Sequence, residues 1–529
     1  MKSRAVPTLV LLVIACGLGV GWWLGRSASE VAPRTETEEP PPRPRRVTEE
    51  MLRPARMGER PEPTVRFDRE AAEAGALAGQ RSITFSSREA MDRFLASLEG
   101  RGIAVLGRID KLNTLRVGFL NPDELAALLE GDEQTGLIFP VNVPGSGSVQ
   151  DGAVGFGRSM LDLLGANGDR SGWGEGIRVA VLDTGIASHS LLNGTVLLQN
   201  LVELPADLAT QNGHGTAVAS LIASELGLAP GTTLLSYRVA DDSGSSNSFT
   251  LAEAVIAAAD SGAHVINISM GSQGNSVILQ QAIEYALQAG SVIVASAGNE
   301  GGSLSYPAAY DGVVAVGAVD ARWEHLDFSN TGNVTVTAPG LDIASAWVGD
   351  ESVLFSGTSA SAPIVSGAIA ALMTTNHLSA QQAIDLLVAT ANENGAPGLD
   401  PEYGEGVIDL GRALNDSQHG ITDIALASNY LGTGSSGQPV LQVTVENRGT
   451  TTVFNAPVTV TTPWGTSNFS IGSLPSGKIQ TFELPLYSGA LSSPDGTPVE
   501  STVTLSSGGD DLIPSNNRRS DVLPPAETP

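Results

Sequence analysis

Ile177-Arg178-Val179-Ala180-Val181-Leu182-Asp183-Thr184-Gly185 is the stretch that decides how this 529-residue chain folds. Its first six residues are short and mostly apolar, the pattern of a buried strand in a parallel sheet, and Asp183 falls at the carboxyl end, where open α/β sheets place their sites. Working outward, similar strand-like runs at 265–268, 292–295 and 313–316 alternate with helical periodicity at 251–259, 277–288 and 379–390, with Gly290 closing the second helix. That alternation predicts an α/β fold, a doubly wound parallel sheet covered by helices on both faces. Residues 215–226 are rich in Ala and Leu, which puts His214 at a helix N-terminus. Residues 360–373 are small and apolar almost throughout and read as a buried central helix with Ser359 at its start. Pro363 lies in its first turn, where a missing N–H costs little.

Asp183, Asn212-Gly213-His214-Gly215-Thr216 and Gly357-Thr358-Ser359-Ala360-Ser361-Ala362-Pro363 set an acid, an imidazole and a hydroxyl in glycine-rich surroundings. Serine is a weak nucleophile until a histidine takes its proton and an acid holds that imidazole in one tautomer. Ala295-Ser296-Ala297-Gly298-Asn299-Glu300-Gly301 adds an amide able to donate. Taken singly, each motif has a plainer reading: a strand-ending turn at Asp183, a loop histidine, a helix N-cap at Ser359. Four such segments in this order resemble the subtilisin-like serine proteases. The resemblance implies that Asp183 orients, His214 is general base and acid, Ser359 attacks, and Asn299 with the Ser359 backbone N–H holds the oxyanion. Thr358 is either a further donor to that oxyanion or a turn residue.

Residues 265–272 resemble the family's segment that pairs with an extended substrate backbone, which makes Ser269, Met270 and Gly271 candidate substrate-binding residues. The same run, and the strand-like run at 234–240, serve equally as core strands, and only Gly271 leans toward close backbone approach.

The formal net charge of −28 argues against a nucleic-acid partner and for soluble character. A single cysteine, Cys16, excludes an internal disulfide and a cysteine zinc site. Met1-Lys2-Ser3-Arg4 followed by an uncharged run at 5–25 has the form of an export signal, cleaved or retained as a membrane anchor, which places the remainder outside the cytoplasm. Residues 30–63 are rich in Pro, Glu and Arg and read as an extended spacer. From residue 82 the pattern is βαββαβ, and its position resembles the family's propeptide, an inhibitor of its own enzyme; a permanent small α/β domain is the alternative. The flexible stretch 145–157 is the region for self-cleavage. Beyond residue 420 alternating residues such as Leu441, Val443 and Val445 predict an all-β Ig-like sandwich.

These readings divide the chain into 1–26 signal or anchor, 27–79 spacer, 80–145 propeptide-like domain, 146–419 subtilase catalytic domain, 420–520 sandwich and 521–529 tail. Asp241-Asp242 either holds calcium, which many subtilases bind, or forms a polar turn; no metal ligand is named. His189, His264, His325, His377 and His419 read as structural or solvated. The function expected is a self-processed, exported serine endopeptidase acting on proteins or peptides through an acyl-enzyme, against an alternative of a catalytically silent adhesion or scaffold protein.

Overall fold

The structure, a computed structural model, describes residues 65–145, 147–192, 196–200, 210–433, 438–486, 497–505 and 510–523. The apolar run at 5–25 and the whole Pro-rich stretch at 30–63 lie outside these residues. Among the described residues no helix is long and apolar enough to cross a membrane.

The spacer expected over 27–79 does not extend to its stated end. Asp68 caps α1 (Arg69–Glu73) through Ala71 N and meets Arg81 at 2.7 and 2.9 Å in a buried ion pair. The Arg81 guanidinium is the main reason that the Asp68 carboxyl sits below its usual range. Composition concealed this pair because its two charges satisfy each other only after the chain turns back on itself.

The βαββαβ order follows: β1 (Gln80–Thr84), α2 (Arg88–Ser97), β2 (Ile103–Ile109), β3 (Thr114–Phe119), α3 (Pro122–Ala126) and β4 (Gln134–Leu137). Ser87 and Asn121 cap the two helices by accepting backbone N–H groups, as short polar side chains do at N-termini. The sheet runs β2-β3-β1-β4 with antiparallel pairs, and Met91, Phe94, Leu115 and Val117 are buried against one another. The strand expected at 136–141 is two strands. β4 stops at Leu137, and β5 (Pro140–Asn142) leaves this sheet for another.

After α4 (Met160–Leu163) the large sheet collects β6 (Arg178–Asp183), β7 (Val196–Asn200), β8 (Thr233–Arg238), β10 (Val265–Ile268), β11 (Val292–Ser296), β12 (Val313–Val319) and β13 (Val336–Pro339), while β9 (Ser245–Asn247) pairs with β5. Seven strands lie in the order β13-β12-β11-β10-β6-β8-β7, all parallel. Strand order reverses at β6, so a crevice opens beyond the carboxyl ends of β6 and β10. Helices α5 (His214–Ala223), α6 (Ser248–Asp260) and α7 (Val277–Gln288) connect these strands, followed by the hairpin β14 (Ile343–Trp347) and β15 (Glu351–Phe355), then α8 (Thr358–Thr375), α9 (Ala380–Ala389) and α10 (Leu410–Asn415). In α8 every residue from Thr358 to Met373 is buried. Its Ala, Gly and Ser side chains let the helix lie close against β10 to β13 and α5. The β2-β3-β1-β4 sheet rests on α6 and α7: Phe249 packs where a side chain at Gly107 would collide, and Lys111 reaches Asp260 and Tyr285.

Past α10 the described chain is β: β16 (Ile424–Thr433), β17 (Pro439–Asn447), β18 (Val453–Thr462), β19 (Gly465–Leu474), β20 (Ile479–Pro485), β21 (Thr497–Val503) and β22 (Arg518–Leu523). Two antiparallel sheets, β16-β17-β20 and β19-β18-β21-β22, enclose Leu441, Val443, Val445, Val458 and Val460. The end expected at residue 520 moves outward, because Leu523 still pairs with Thr497. Glu446 of β17 is buried against the preceding region. It accepts from Arg412 at 2.7 Å and from Glu393 N at 3.0 Å, with Arg448 beside it at 3.0 Å.

Candidate functional site

Asp183 ends β6 and His214 begins α5, and the two meet inside the crevice. His214 Nδ1 lies 2.9 and 3.0 Å from the Asp183 carboxylate oxygens. A carboxylate only accepts, so Nδ1 carries a proton, and in the neutral imidazole this leaves the lone pair on Nε2. Asp183 is wholly buried and also accepts from Thr184 N at 2.7 Å and Thr184 Oγ1 at 3.2 Å. The glycines around His214 have steric reasons: a Cβ at Gly213 would lie 2.2 Å from the Trp347 ring, and one at Gly215 would lie 2.4 Å from the Gly185 carbonyl. The Phe355 ring stands edge-on to the imidazole at 5.2 Å.

Ser359 is the second residue of α8. Its hydroxyl donates to the Ser269 carbonyl at 3.0 Å, and the Ser269 hydroxyl donates back to the Ser359 carbonyl at 3.1 Å. His214 Nε2 is buried and makes no hydrogen bond. The structure therefore brings the acid and the imidazole into contact, while the hydroxyl is turned toward Ser269.

Asn299 lies in the loop after β11. Its Oδ1 accepts from Thr358 N at 3.0 Å and Thr358 Oγ1 at 2.8 Å, which fixes the amide so that Nδ2 points the other way. There it donates to the carbonyl of Gly145 at 3.0 Å. Thr358 thus aims Asn299; its hydroxyl proton is spent on the amide oxygen, leaving it no proton for an oxyanion.

Gly145 reaches this point because β5 lies in the crevice as an added strand and residues 143–145 run on from it. β5 pairs with β9 on one side, and Asn142 exchanges two 2.9 Å backbone hydrogen bonds with Gly271 on the other. Val143 N donates to Gly244 O at 2.9 Å. Of the three residues named for substrate binding, Gly271 touches this strand, Ser269 touches Ser359, and Met270 is fully buried in the core. A cavity of about 320 Å³ opens beside Gly145, bordered by Gly271, Gln273, Glu300 and Ser305.

The resemblance to a propeptide implied a blocked active site, but sequence reasoning did not place residues 140–145 in the crevice, nor find that Ser269 serves the Ser359 turn. Pro144-Gly145 after a polar Asn was the available signal for a strand leaving its sheet. The Asp241-Asp242 pair is a turn: Asp241 accepts from Ser243 N and Ser245 N, and Asp242 pairs with Arg238 at 2.7 Å. Among the described residues Glu130, Asp132 and Glu133 form a carboxylate cluster, in which Glu133 already accepts two backbone N–H groups. Among the other histidines, His325 is pushed down to about 4, chiefly by burial, and His189 bonds the Glu351 carbonyl at 2.8 Å.

Residues 174–406 match the subtilase family. The chain is 41% identical over 243 residues to the thermophilic serine proteinase of Bacillus sp. (strain AK1), a match covering 43% of this chain and 60% of that protein. It is 37% identical over 270 residues to the thermostable alkaline protease of Halalkalibacterium halodurans, covering 49% and 73%. With Subtilisin Savinase of Lederbergia lenta it shares 38% over 267 residues, covering 48% of this chain and 97% of that protein. Among solved structures, the epidermin leader peptide processing serine protease of Staphylococcus aureus is similar at a TM-score of 0.53 and 23% identity, covering 64% of this chain and 99% of that one, a likeness of fold.

Proposed function

We propose, for a chain that belongs to the subtilase family and is a serine-type endopeptidase, that Asp183, His214, Ser359 and Asn299 are its acid, base, nucleophile and oxyanion donor. In this reading Ser359 Oγ exchanges the Ser269 carbonyl for His214 Nε2 and gives up its proton as it attacks the substrate carbonyl. The C–N bond breaks, the amine leaves with the proton from His214, and an acyl-enzyme remains. Water then attacks the ester by the same route, and the acid product departs. Asp183 holds Nδ1–H throughout, and Asn299 Nδ2 stabilises the oxyanion. Gly271, with Ser269 and Met270, forms the wall that pairs with an extended protein or peptide substrate.

One observation carries this reading: a carbonyl of the segment that follows β5, that of Gly145, accepts from Asn299 Nδ2 in the crevice that holds Asp183, His214 and Ser359. From it we read a self-processed zymogen. The part from α1 to residue 145 is a propeptide-like domain and inhibitor, 146–419 the catalytic domain and 420–523 an Ig-like sandwich. The segment 1–26 is an export signal or membrane anchor, joined by a Pro-rich spacer that ends before Asp68. Calcium enters from the family resemblance alone, and no residue is assigned to it.

The test compares the full chain with Ser359→Ala, using a fluorophosphonate probe and a gel. The wild type is expected to label and to lose its N-terminal part, and the variant to do neither. Correctly folded wild-type protein that neither labels nor is shortened overturns the reading in favour of the scaffold alternative.

A further inference from the structure

Pro363 is the fourth residue after Ser359 in α8, the position whose N–H ordinarily closes the helical hydrogen bond to the Ser359 carbonyl. Proline has no N–H to give. A buried carbonyl deprived of its donor costs about as much as a lost hydrogen bond. The replacement comes sideways from β10 and the residues after it: the Ser269 hydroxyl donates to the Ser359 carbonyl at 3.1 Å.

That hydroxyl is itself directed. Asn267 Nδ2 donates to Ser269 Oγ at 3.0 Å, so the hydroxyl accepts on that side and its one proton turns to Ser359. Asn267 is held in the required amide orientation because Ser366 Oγ donates to Asn267 Oδ1 at 2.9 Å. Ser366 stands on α8 itself, so the chain of bonds leaves the helix, crosses the C-terminal end of β10 and returns to the first turn. Asn267, Ser269 and Ser366 are wholly buried and Ser359 is 2% exposed. In that low-dielectric setting a satisfied chain is rigid and a broken one is costly.

We infer that Ser366, Asn267 and Ser269 are positioning residues that hold the backbone of Ser359, supplying the donor that Pro363 withholds. The inference rests on Ser359 being the attacking residue. Ser269 is then the pivot of the nucleophile in both directions. Its hydroxyl fixes the Ser359 backbone, and its carbonyl is the partner that the Ser359 hydroxyl must leave to reach His214.

The experiment uses the full chain carrying Ser269→Ala, Ser269→Thr, Ser366→Ala or Ser269→Ala with Pro363→Ala. It reads kcat and KM on a peptide substrate per fluorophosphonate-titrated site, together with melting temperature. Ser269→Ala is expected to lower kcat on the order of 100-fold with KM little changed, the scale of a misplaced reacting group. Ser366→Ala is expected to act in the same direction, roughly 10-fold, because the hydroxyl donor survives but is less directed. Pro363→Ala restores a backbone N–H four residues after Ser359 and is expected to return at least part of the kcat lost in Ser269→Ala.

Unchanged kcat in Ser269→Ala, a loss that appears only in KM, or no rescue by Pro363→Ala overturns the inference. Should Ser269→Ala fail to fold, Ser269→Thr decides: it keeps the hydroxyl, and a folded Thr variant with kcat as low as unfolded material also overturns it. If Ser359→Ala keeps turnover and labelling, the assignment of the nucleophile itself falls. Loss in Ser359→Ala with no slowing in Ser269→Ala removes the positioning chain alone.

Discussion

Asn299 shows how much of a site depends on one amide pointing the right way. Thr358 supplies two donors to its Oδ1, one from the backbone and one from the side chain, and Gly298 N in turn donates to Thr358 Oγ1 at 3.1 Å. Thr358→Val keeps the shape and the backbone donor but removes the hydroxyl. It is expected to lower kcat about 10-fold, the worth of one such hydrogen bond, with KM unchanged; a rise in KM instead would assign Thr358 to substrate binding. In the sequence Thr358 read equally as oxyanion donor or turn residue. The direction of its one proton separates the two, and that direction is set by a residue far away in the chain.

The element with the largest effect on the crevice is the short junction after β4. β5 departs from its own sheet because the gap between β9 and Gly271 offers unpaired backbone groups on both sides. Two residues beyond Gly145 the passage narrows: a Cβ at Gly147 would lie 2.1 Å from Phe328 Cβ and 3.0 Å from the Asn299 carbonyl. Gly147→Ala is expected to push the junction away from Asn299 and slow self-processing at least about 10-fold, seen as persistence of the full-length band on a gel. A variant that is shortened at the wild-type rate would show that the junction does not pass this way during cleavage. Helix ends obeyed similar local rules. The Ala- and Leu-rich stretch read as helical to residue 226, but α5 stops at Ala223 because Ser224 is extended and its Oγ bonds the Ser220 carbonyl.

Across the whole molecule, the C-terminal β region is fastened to the rest by Glu446, which gathers Arg412, Arg448 and Glu393 N in a buried cluster. Glu446→Ala leaves two guanidinium groups without their carboxylate and is expected to cost about 3–5 kcal/mol, measured by denaturant unfolding in a Ser359→Ala background to prevent autolysis. An unchanged midpoint would mean that the two regions are held by other contacts. Beside it, burial first, then the carboxylates of Glu446, Asp400 and Glu405, push Glu393 up to about 8, against donation from Gly398 N. An acid whose folded pKa is raised stabilises the fold fully below its unfolded value and loses that contribution as pH climbs through the folded one. Glu393→Gln keeps the acceptor without the charge. Its melting temperature relative to the parent is expected to rise between pH 4.5 and 8; a difference that stays flat over that window would contradict the assignment.

Local pattern alone determined the parallel sheet, the order of acid, imidazole, amide and hydroxyl, and the βαββαβ and all-β flanks. Each of these is written in the spacing of apolar residues and in glycines that only a close approach demands. Tertiary structure alone decided that β5 lies in the crevice, that Ser359 faces Ser269 rather than His214, and that Asp68 joins Arg81. Those outcomes depend on hydrogen-bond donors and charges that meet from distant parts of the chain. No local period records such meetings, because each partner is ordinary until the fold brings the other within reach.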